Sequence, residues 1–401
     1  MTKKSDAPAI RFKGFSDAWE QRKLSEMCGT FEYGLNAAAK EFDGKNKYIR
    51  ITDIDDASRE FLLSDLSSPD ICLDGMSKYL LSSGDIVFAR TGASVGKTYI
   101  YRENDGIVYF AGFLIRAKVN QDNDAEFVFQ STLSPSYEKY IRITSQRSGQ
   151  PGVNAQEYGE YDLFAPSKEE QQRIGHFLRG INNLITLHQR KFEKLTNVKK
   201  SMLEKMFPQN GSSYPEIRFK GFTDPWEQRK FEEIAVRSSV ICSDDTLPRV
   251  EYEDIVSGTG RLNKDIYAKQ SSKSGIVFHQ GDVLYGKLRP YLQNWLLPTF
   301  DGLAVGDFWV LQPQNADSSF LYRLIQSRQF DEVANQSTGT KMPRADWKLV
   351  SKTVFSIPSN ISEQAAIGTY FTALDSLITL HQRELEKLQN IKKSMLEKMF
   401  V

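Results

Sequence analysis

The feature that most constrains this chain is an internal repeat of its two ends. Two segments near the start of the first copy return 207 residues later, Ile10–Phe15 as Ile217–Phe222 and Trp19–Lys23 as Trp226–Lys230. Two segments near its end return 193 residues later, Leu184–Arg190 as Leu377–Arg383 and Lys199–Phe207 as Lys392–Phe400. Because the offset falls from 207 to 193, the second copy is 14 residues shorter between these ends. Such self-similarity indicates two tandem units built on one frame.

The interiors of the two copies are much less alike than their ends. Only fragments match, such as Gly84–Arg90 with Gly281–Lys287, and the turn at 148–149 with that at 338–339. A repeated frame is expected to bind the same partner twice, whereas different interiors are expected to recognise two different ligands. The sequence therefore predicts two equivalent docking surfaces and two distinct recognition surfaces.

Length and composition limit the class of protein. A chain of 401 residues is too long for one ordinary core, and 40% hydrophobic with 26% charged residues is typical of globular proteins. No apolar run approaches the roughly 18 residues of a membrane helix, and the first residues lack the apolar core of a secretory signal. We therefore expect a cytoplasmic protein. The net charge of +1 argues mildly against a sequence-independent DNA binder.

Residues 167–207 and 361–401 are each predicted to form one long helix. Apolar residues of the first helix follow a coiled-coil spacing of three and four, namely Ile174, Phe177, Ile181, Leu184, Leu195, Val198 and Met202. A second apolar stripe predicts that this helix buries more than one side; its residues are Leu178, Ile185, Phe192, Leu203 and Met206. Pro208 ends this helix. If the two helices form an antiparallel coiled coil, a pseudo-twofold axis would relate the halves and two copies of one partner could bind.

Polar residues outside this seam recur as well, although a helix that only joins domains would need to repeat its seam alone. The recurring residues predicted to bind a partner are Thr186, Gln189, Arg190 and Lys199, with their counterparts Thr379, Gln382, Arg383 and Lys392. His188 and His381 occupy matching seam positions, where polar residues more often fix register than bind metal.

Residues 1–166 and 208–360 are predicted to be α+β domains of related fold. Alternating or continuous apolar runs between turn residues predict strands at 86–89, 98–101, 107–110 and 114–119, and at 276–278, 283–285, 303–305 and 309–311. Short helices are predicted at 127–140 and near 319–329. Pro166 and Pro358 end the two domains just before the long helices.

The motifs of the expected catalytic classes are absent from the sequence. The P-loop-like segment Gly92–Thr98 is one residue short before its Gly-Lys-Thr and runs into a strand-like stretch. No Pro-Pro pair exists for an adenine methyltransferase motif, and Pro69-Asp70 has no nuclease-type (Asp/Glu)-x-Lys after it in the same half. Three scattered cysteines and four histidines predict no metal site. We predict no catalytic residues.

Loops rich in basic, amide and hydroxyl groups occur at corresponding places in both halves. Arg and Lys pair with guanine edges, Asn and Gln with adenine, and hydroxyls with either or with phosphate. The residues predicted to contact DNA are Arg90, Thr91, Ser94, Lys97, Gln146, Arg147, Gln150 and Asn154 in the first half, and Lys287, Arg289, Tyr291, Gln293, Gln336, Lys341 and Arg344 in the second.

The order of these motifs, found twice, resembles the specificity subunits of type I restriction-modification systems over essentially the whole chain. The segments that carry the resemblance are Gly84–Gly92, the helix starts Glu170-Gln171 and Glu363-Gln364, and the repeated Leu-Ile-Thr-Leu-His-Gln-Arg and Met-Leu-Glu-Lys-Met-Phe. Each motif has low specificity by itself, whereas the occurrence of the motifs in the same order in both halves is specific.

The resemblance implies a non-catalytic subunit with two target-recognition domains, each reading one half of an asymmetric, gapped DNA site. The long helices would set the gap and bind two methylation subunits, which carry S-adenosylmethionine and modify adenine. A restriction subunit would supply ATP- and magnesium-dependent translocation and cleavage, so this chain would bind no cofactor itself. Two other functions remain open, a stand-alone DNA-modifying enzyme and a coiled-coil scaffold without DNA specificity.

Overall fold

The computed structural model describes residues 7–147, 149–209, 211–268, 271–336 and 342–401, and it divides into two compact units. Unit 1 comprises residues up to 190 together with 382–401, and unit 2 comprises residues 191–381. Each unit therefore contains one globular domain, the first part of the long helix that follows it, and the last part of the other long helix. The predicted α+β architecture, with a long helix after each domain, is confirmed.

Among its described residues up to 190, unit 1 has ten strands and five α-helices, the last of which continues into unit 2. The strands are β1 (Glu20–Lys23), β2 (Cys28–Tyr33), β3 (Ala39–Glu41), β4 (Lys47–Ile49), β5 (Ser67–Pro69), β6 (Ile86–Ala89), β7 (Thr98–Ile100), β8 (Val108–Phe110), β9 (Leu114–Val119) and β10 (Asp162–Ala165). The helices are α1 (Leu24–Met27), α2 (Ala125–Ser131), α3 (Pro135–Thr144), α4 (Ala155–Gly159) and the long α5 (Lys168–Lys205).

Unit 2 repeats this plan with variations. Its strands are β11 (Glu227–Lys230), β12 (Ala235–Ser238), β13 (Ile241–Cys242), β14 (Arg249–Glu251), β15 (Ile255–Val256), β16 (Arg261–Leu262), β17 (Gly275–Phe278), β18 (Val283–Gly286), β19 (Trp295–Leu296), β20 (Gly302–Val305), β21 (Phe308–Pro313) and β22 (Val354–Ile357). Its helices are α6 (Phe231–Ile234), α7 (Ser318–Leu324), α8 (Arg328–Ala334), α9 (Trp347–Lys352) and the long α10 (Ile361–Met399).

The same three pairings organise both domains. A four-stranded antiparallel sheet has the order β2-β9-β6-β7 in unit 1 and β12-β21-β18-β19 in unit 2. A parallel pair, β4 with β8 or β14 with β20, lies in a second layer. The first and last strands of each domain pair antiparallel, β1 with β10 and β11 with β22. This last pairing brings the end of the domain, where the long helix begins, beside its start.

One inner strand of each main sheet, β6 or β18, is buried on both faces, which explains its unbroken apolar sequence. In β6, Ile86 and Phe88 pack into the core shared with the long helices, while Val87 and Ala89 pack into a second core on the opposite face. In β18, Tyr285 packs into the core that includes the long helices, and Leu284 packs into the second core on the opposite face. Both cores depend on this strand.

The single helices predicted at 127–140 and near 319–329 are wrong, because each region forms two helices. In unit 1 the break lies at Ser134-Pro135, where the Ser134 hydroxyl accepts a hydrogen bond from the Tyr137 amide and Pro135 occupies the first helical turn. Proline lacks the amide hydrogen that a continuing helix needs. In unit 2 Ser327 caps α8 in the same way.

The Glu-Gln pair at the start of each long helix fixes that helix to its domain. Glu170 accepts two hydrogen bonds from the Arg11 guanidinium, and Glu363 accepts two from Arg218, all at 2.7 Å. Both carboxylates are almost fully buried. The neighbouring Gln171 donates to the Pro166 carbonyl at 2.9 Å and accepts from the Asp124 amide at 3.0 Å.

Gln364 makes the equivalent bonds in unit 2, to the Pro358 carbonyl at 2.7 Å and from the Asp317 amide at 2.8 Å. The repeated Glu-Gln motif is therefore a repeated set of buried polar contacts.

The end of each long helix packs on the domain of the other repeat. The Ile10 amide donates to the Lys398 carbonyl and the Ile217 amide to the Lys205 carbonyl, both at 2.9 Å. Phe400 lies 5.3 Å from Phe127 between ring centroids. Since Ile10 and Arg11 contact the end of α10 and the start of α5, the two helices run in opposite directions within unit 1.

In unit 2, Phe207 stacks on Phe320 at 5.7 Å, so it takes the place that Phe400 has in unit 1. In each unit, the end of the long helix from one repeat thus contributes to the core of the domain from the other repeat.

The predicted seam is only partly buried in the first part of α5. Ile174 and Ile181 are buried as predicted, but Phe177 and Leu184 are exposed to 38% and 46%. Leu178 and Ile185 of the predicted second stripe are buried, as expected. The stripe 174, 178, 181 and 185 faces a globular domain, which covers a broader face than a single partner helix would.

No helix in the described part of the chain combines the length and the apolar character needed to cross a membrane. Within the same residues, no group of three or more His, Cys, Asp or Glu side chains lies together where a metal ion could be held.

The buried arginine–glutamate pairs at the starts of the long helices give a stability prediction. We expect Arg218→Met to lower the free energy of unfolding of unit 2 by about 3 kcal/mol or more, because the carboxylate of Glu363 stays buried without its guanidinium. Arg229→Met is the matched control, since Arg229 pairs with Glu227 at the surface, and it should cost at most about 1 kcal/mol. Urea unfolding followed by tryptophan fluorescence measures both. Equal losses of unfolding free energy in the two variants would show that the buried pair contributes no more than the surface pair.

Candidate nucleic-acid interface

The two loops predicted to contact DNA in unit 1 lie side by side. The loop after β6 pairs with the segment before α4: the Gly92 amide donates to the Pro151 carbonyl at 3.0 Å and the Val153 amide to the Arg90 carbonyl at 2.9 Å. Thr91 forms a β-bridge with Gly152 between these bonds. Residues about 60 positions apart in the chain thus form one surface.

Unit 2 builds the same pairing from a different sequence. The Arg289 amide donates to the Pro343 carbonyl at 2.7 Å and the Ala345 amide to the Lys287 carbonyl at 2.8 Å. Leu288 forms the β-bridge with Arg344. A polar residue then caps the next helix in both units, Asn154 for α4 and Asp346 for α9.

The side chains on this shared backbone differ in chemical type. Where unit 1 has Gly92 and Gly152, unit 2 has Arg289 and Arg344 at the equivalent hydrogen-bonded positions. The backbone at the first position is left-handed in both units, with φ of 70° for Gly92 and 49° for Arg289. Glycine adopts this conformation freely, whereas arginine adopts it at a cost of about 1–3 kcal/mol. Such strain is concentrated at functional sites, which marks Arg289 as a candidate.

Arg90 lies between two exposed aromatic rings. Its guanidinium carbon is 5.1 Å from the ring centroid of Tyr33 and 5.9 Å from that of Phe113. Both rings are about half exposed, and the Arg90 amide donates to the Phe113 carbonyl at 3.0 Å. The Nε atoms of Arg90 and Arg289 are both buried without a hydrogen-bond partner among the described residues. A guanidinium held in this way has donors available for a ligand.

An acidic residue organises the basic groups of unit 2. Asp307 accepts from Arg344 at 3.1 Å and lies 3.6 Å from the Lys287 ammonium. Its carbonyl also accepts from the Lys287 amide at 2.9 Å. Asp307 thus occupies the place that Phe113 has in unit 1, and the two surfaces differ in charge arrangement as well as in residue type.

Several predicted DNA-contacting residues in unit 1 have structural partners. Lys97 is mostly buried and forms an ion pair with Asp56 at 2.5 Å. Arg147 pairs with Glu157 and donates to the Thr144 carbonyl at 2.8 Å. The Asn154 side chain accepts from the Glu157 amide at 2.9 Å as the cap of α4.

The tip of the unit 1 loop is held by a buried tyrosine. The Tyr158 hydroxyl donates to the Ala89 carbonyl at 2.7 Å and accepts from the Gly96 amide at 3.1 Å. Burial raises the pKa of Tyr158, so the hydroxyl keeps its proton for this bond. Ser94 lies between these anchors, in a short 3-10 turn that is followed by a strand and not by the helix that a P-loop needs.

The other candidates lie at the surface near these loops. Gln146, Gln150, Tyr291 and Gln336 are exposed, and Gln293 has a left-handed backbone with φ of 55°. Lys341 lies outside the described residues. Their contacts with DNA stay a prediction.

The recurring polar residues of the long helices divide into two groups. Arg190 and Arg383 are exposed, and Thr186, Gln189, Thr379 and Gln382 are half-buried. The Lys199 ammonium forms an ion pair with Asp375 at 2.7 Å, and Lys392 lines a cavity in unit 1 together with Thr186 and Gln189. Partner binding by all eight residues stays a prediction.

Sequence reasoning missed four features of this region. They are Tyr33, Phe113, Asp307 and the repeated pattern Pro-x-small-(Asn/Asp) at 151–154 and 343–346. The available signal was the repeated Asn or Asp at the end of this pattern, because such a residue commonly caps the start of a helix.

The chain thus has two tandem α+β domains, which present different side chains on the same loop scaffold and are each followed by a long helix. Residues 16–197 and 225–390 both match the model of the type I restriction modification DNA specificity domain. The chain belongs to this family, and the two domains are its DNA-specificity domains.

Several known proteins are similar to this chain. The MjaVIII specificity subunit of Methanocaldococcus jannaschii is 22% identical over 84% of this chain and 83% of its own length. The EcoDI specificity subunit of Escherichia coli is 25% identical over 48% of this chain and 46% of its own length. The S subunit structure from M. genitalium covers 98% of this chain and 99% of that one, with 13% identity and a TM-score of 0.67. That likeness is one of fold.

The cap of α4 allows a test that separates structure from recognition at Asn154. We expect Asn154→Ala to lower the free energy of unfolding by about 1 kcal/mol, because the Glu157 amide loses its acceptor. Asn154→Asp keeps the acceptor and should preserve stability while removing the amide donor. Thermal unfolding of both, with Asp346→Ala as the unit 2 counterpart, provides the measurement. A stable Asn154→Ala variant would contradict the capping role.

Proposed function

We propose that this chain reads an asymmetric, two-part DNA site as the non-catalytic specificity subunit of a type I restriction-modification complex. The observation that carries the proposal is the replacement of Gly92 and Gly152 by Arg289 and Arg344 on one repeated backbone. Equivalent loops with different donors suit half-sites of different sequence.

The available groups match direct readout in the major groove. Arg and Lys present paired donors to the O6 and N7 atoms of guanine, and Gln and Asn pair with adenine. Unit 1 offers Arg90, Gln146 and Gln150 for this purpose, and unit 2 offers Lys287, Arg289 and Arg344. The net charge of +1 leaves much of the phosphate contact to partner subunits.

Two copies of a methylation subunit are the proposed partners of the long helices. Each unit carries an exposed pair of leucines, Leu184 with Leu187 and Leu377 with Leu380, all between 44% and 51% exposed. Thr186, Gln189 and Arg190 adjoin the first pair, and their counterparts adjoin the second. Repeated apolar patches with polar surroundings are typical of protein interfaces.

In this proposal the chemistry belongs to the partners. S-adenosylmethionine would be bound by the methylation subunits, and ATP and magnesium by a restriction subunit, in the cytoplasm where the DNA lies. A stand-alone modifying enzyme would methylate DNA with S-adenosylmethionine and no partner. A scaffold without specificity would bind all duplexes equally even when its partner is present.

The proposed function predicts one split methylation motif. We would co-express this chain with its methylation subunit in a host lacking adenine methylation and map methylated adenines across the genome. We expect two unlike half-sites separated by a fixed gap, because the two loop surfaces differ. Methylation at a continuous or palindromic motif would contradict the proposal that two different domains recognise two different half-sites. A stable complex without methylation would favour the scaffold function.

The strained arginine gives a sharper prediction. Arg289→Gly copies the residue of unit 1 and relieves the left-handed strain, so the fold should be kept. We expect this variant to lose about 1–3 kcal/mol of discrimination at one half-site only, since one arginine–guanine contact is worth that much. Fluorescence anisotropy of the complex with duplexes changed in either half-site measures the loss.

Asn315→Gly is the matched control for Arg289→Gly. Asn315 is also in unit 2 with a left-handed backbone, φ of 49°, but lies outside the paired loops. It should leave DNA binding unchanged. Equal discrimination by Arg289→Gly and the parent protein would remove Arg289 from the recognition surface.

A further inference from the structure

A cavity of about 490 Å³ lies within unit 1, away from the paired loops. Its walls are the turn at 56–59, the start of α3, residues 182–189 of α5 and residues 389–397 of α10. Leu133, Pro135, Ile185 and Leu396 supply apolar surface. The volume lies in the range of small-molecule sites, which is about 300–1,000 Å³.

Two cations face this cavity. Arg59 has a left-handed backbone with φ of 60°, and its Nη1 atom is buried without a hydrogen-bond partner among the described residues. Lys392 forms no ion pair within the described part of the chain. Burial, and then the positive charge of Arg59, lower the pKa of Lys392 to about 8. Burial likewise lowers the pKa of Arg59, although Asp56, Asp55 and Glu138 act to raise it, so both cations are held at a cost in solvation.

The nearby carboxylates compensate only in part. Glu126 is already bound to Arg102 at 2.9 Å, and burial raises the pKa of Glu60. Among the cavity walls, Asp56 is paired with Lys97 at 2.5 Å, and Glu138 and Glu397 line the cavity together with the additional cation Lys393.

In unit 2, the equivalent lysine has a carboxylate partner. Lys199 is the counterpart of Lys392, and its ammonium lies 2.7 Å from one carboxylate oxygen of Asp375. The other oxygen accepts from Arg323, also at 2.7 Å. With the offset of 193, the residue of unit 1 that corresponds to Asp375 is Asn182, which is neutral and lines the cavity. Unit 1 has thus kept the lysine and lost its carboxylate.

We infer that this cavity binds a small organic phosphate of about mononucleotide size. The phosphate lies between Arg59 and Lys392, in the place of the carboxylate that Asp375 provides in unit 2. The remainder of the ligand packs against Leu133, Ile185 and Leu396. A bare phosphate would fill only a small part of the volume.

Isothermal titration calorimetry of the full chain tests this inference, with adenosine monophosphate, inorganic phosphate and adenosine as probes. Adenosine monophosphate should bind, inorganic phosphate should compete with lower affinity, and adenosine should bind at least about tenfold more weakly, a loss of about 1.4 kcal/mol. Binding of phosphate but not of the nucleotide would reject the proposed ligand size. Failure of both to bind would reject the site.

Two variants locate the binding. Asn182→Asp restores the carboxylate that unit 2 has, and Lys392→Met removes the charge but keeps most of the chain length. Each should weaken the nucleotide at least about tenfold. Asp375→Asn is the matched control in unit 2 and should leave the affinity unchanged, and circular dichroism checks that all three are folded. Undiminished affinity in both unit 1 variants would overturn the assignment.

Discussion

The buried carboxylates of Glu170 and Glu363 are the contacts on which the arrangement of each unit depends. Each lies at the start of a long helix and accepts two hydrogen bonds from an arginine near the start of the domain. Next to that arginine, the Ile10 or Ile217 amide binds the end of the other long helix. A buried charge is costly without its partner, so loss of either residue of the pair would destabilise the contact between these segments.

This fixed frame allows the recognition loops to vary. The paired segments after β6 and β18 keep the same backbone hydrogen bonds, because amides and carbonyls form them and side chains do not. Glycine and arginine can therefore exchange at 92 and 289 without loss of the scaffold. The same freedom explains why Phe113 and Asp307, at one structural position, surround the basic groups so differently.

Much of the fold was predictable from the sequence. The repeat, the two long helices, most central strands and the family resemblance follow from apolar spacing and motif order, and the structure and the family match confirm them. The prediction of single helices at 127–140 and 319–329 failed because Ser134 and Ser327 start new helices.

Two other features were beyond the sequence. Nothing in the linear pattern shows that Phe400 packs on Phe127 and Phe207 on Phe320, because contacts across repeats depend on tertiary structure. The candidate site was found by residue type at matching places, but the pairing of 90–92 with 151–153 was not. The individual DNA contacts stay predictions, since recognition surfaces differ most where the ligand binds.

The division of the chain between the units has a consequence for biosynthesis. Unit 2 is one continuous stretch, residues 191–381, whereas unit 1 needs residues 382–401 to place Leu396 and Met399 in its core. Domains emerge from the ribosome in chain order and fold as units. The first domain to be synthesised is therefore the second to be completed, and its apolar surface stays open while the whole of unit 2 is translated.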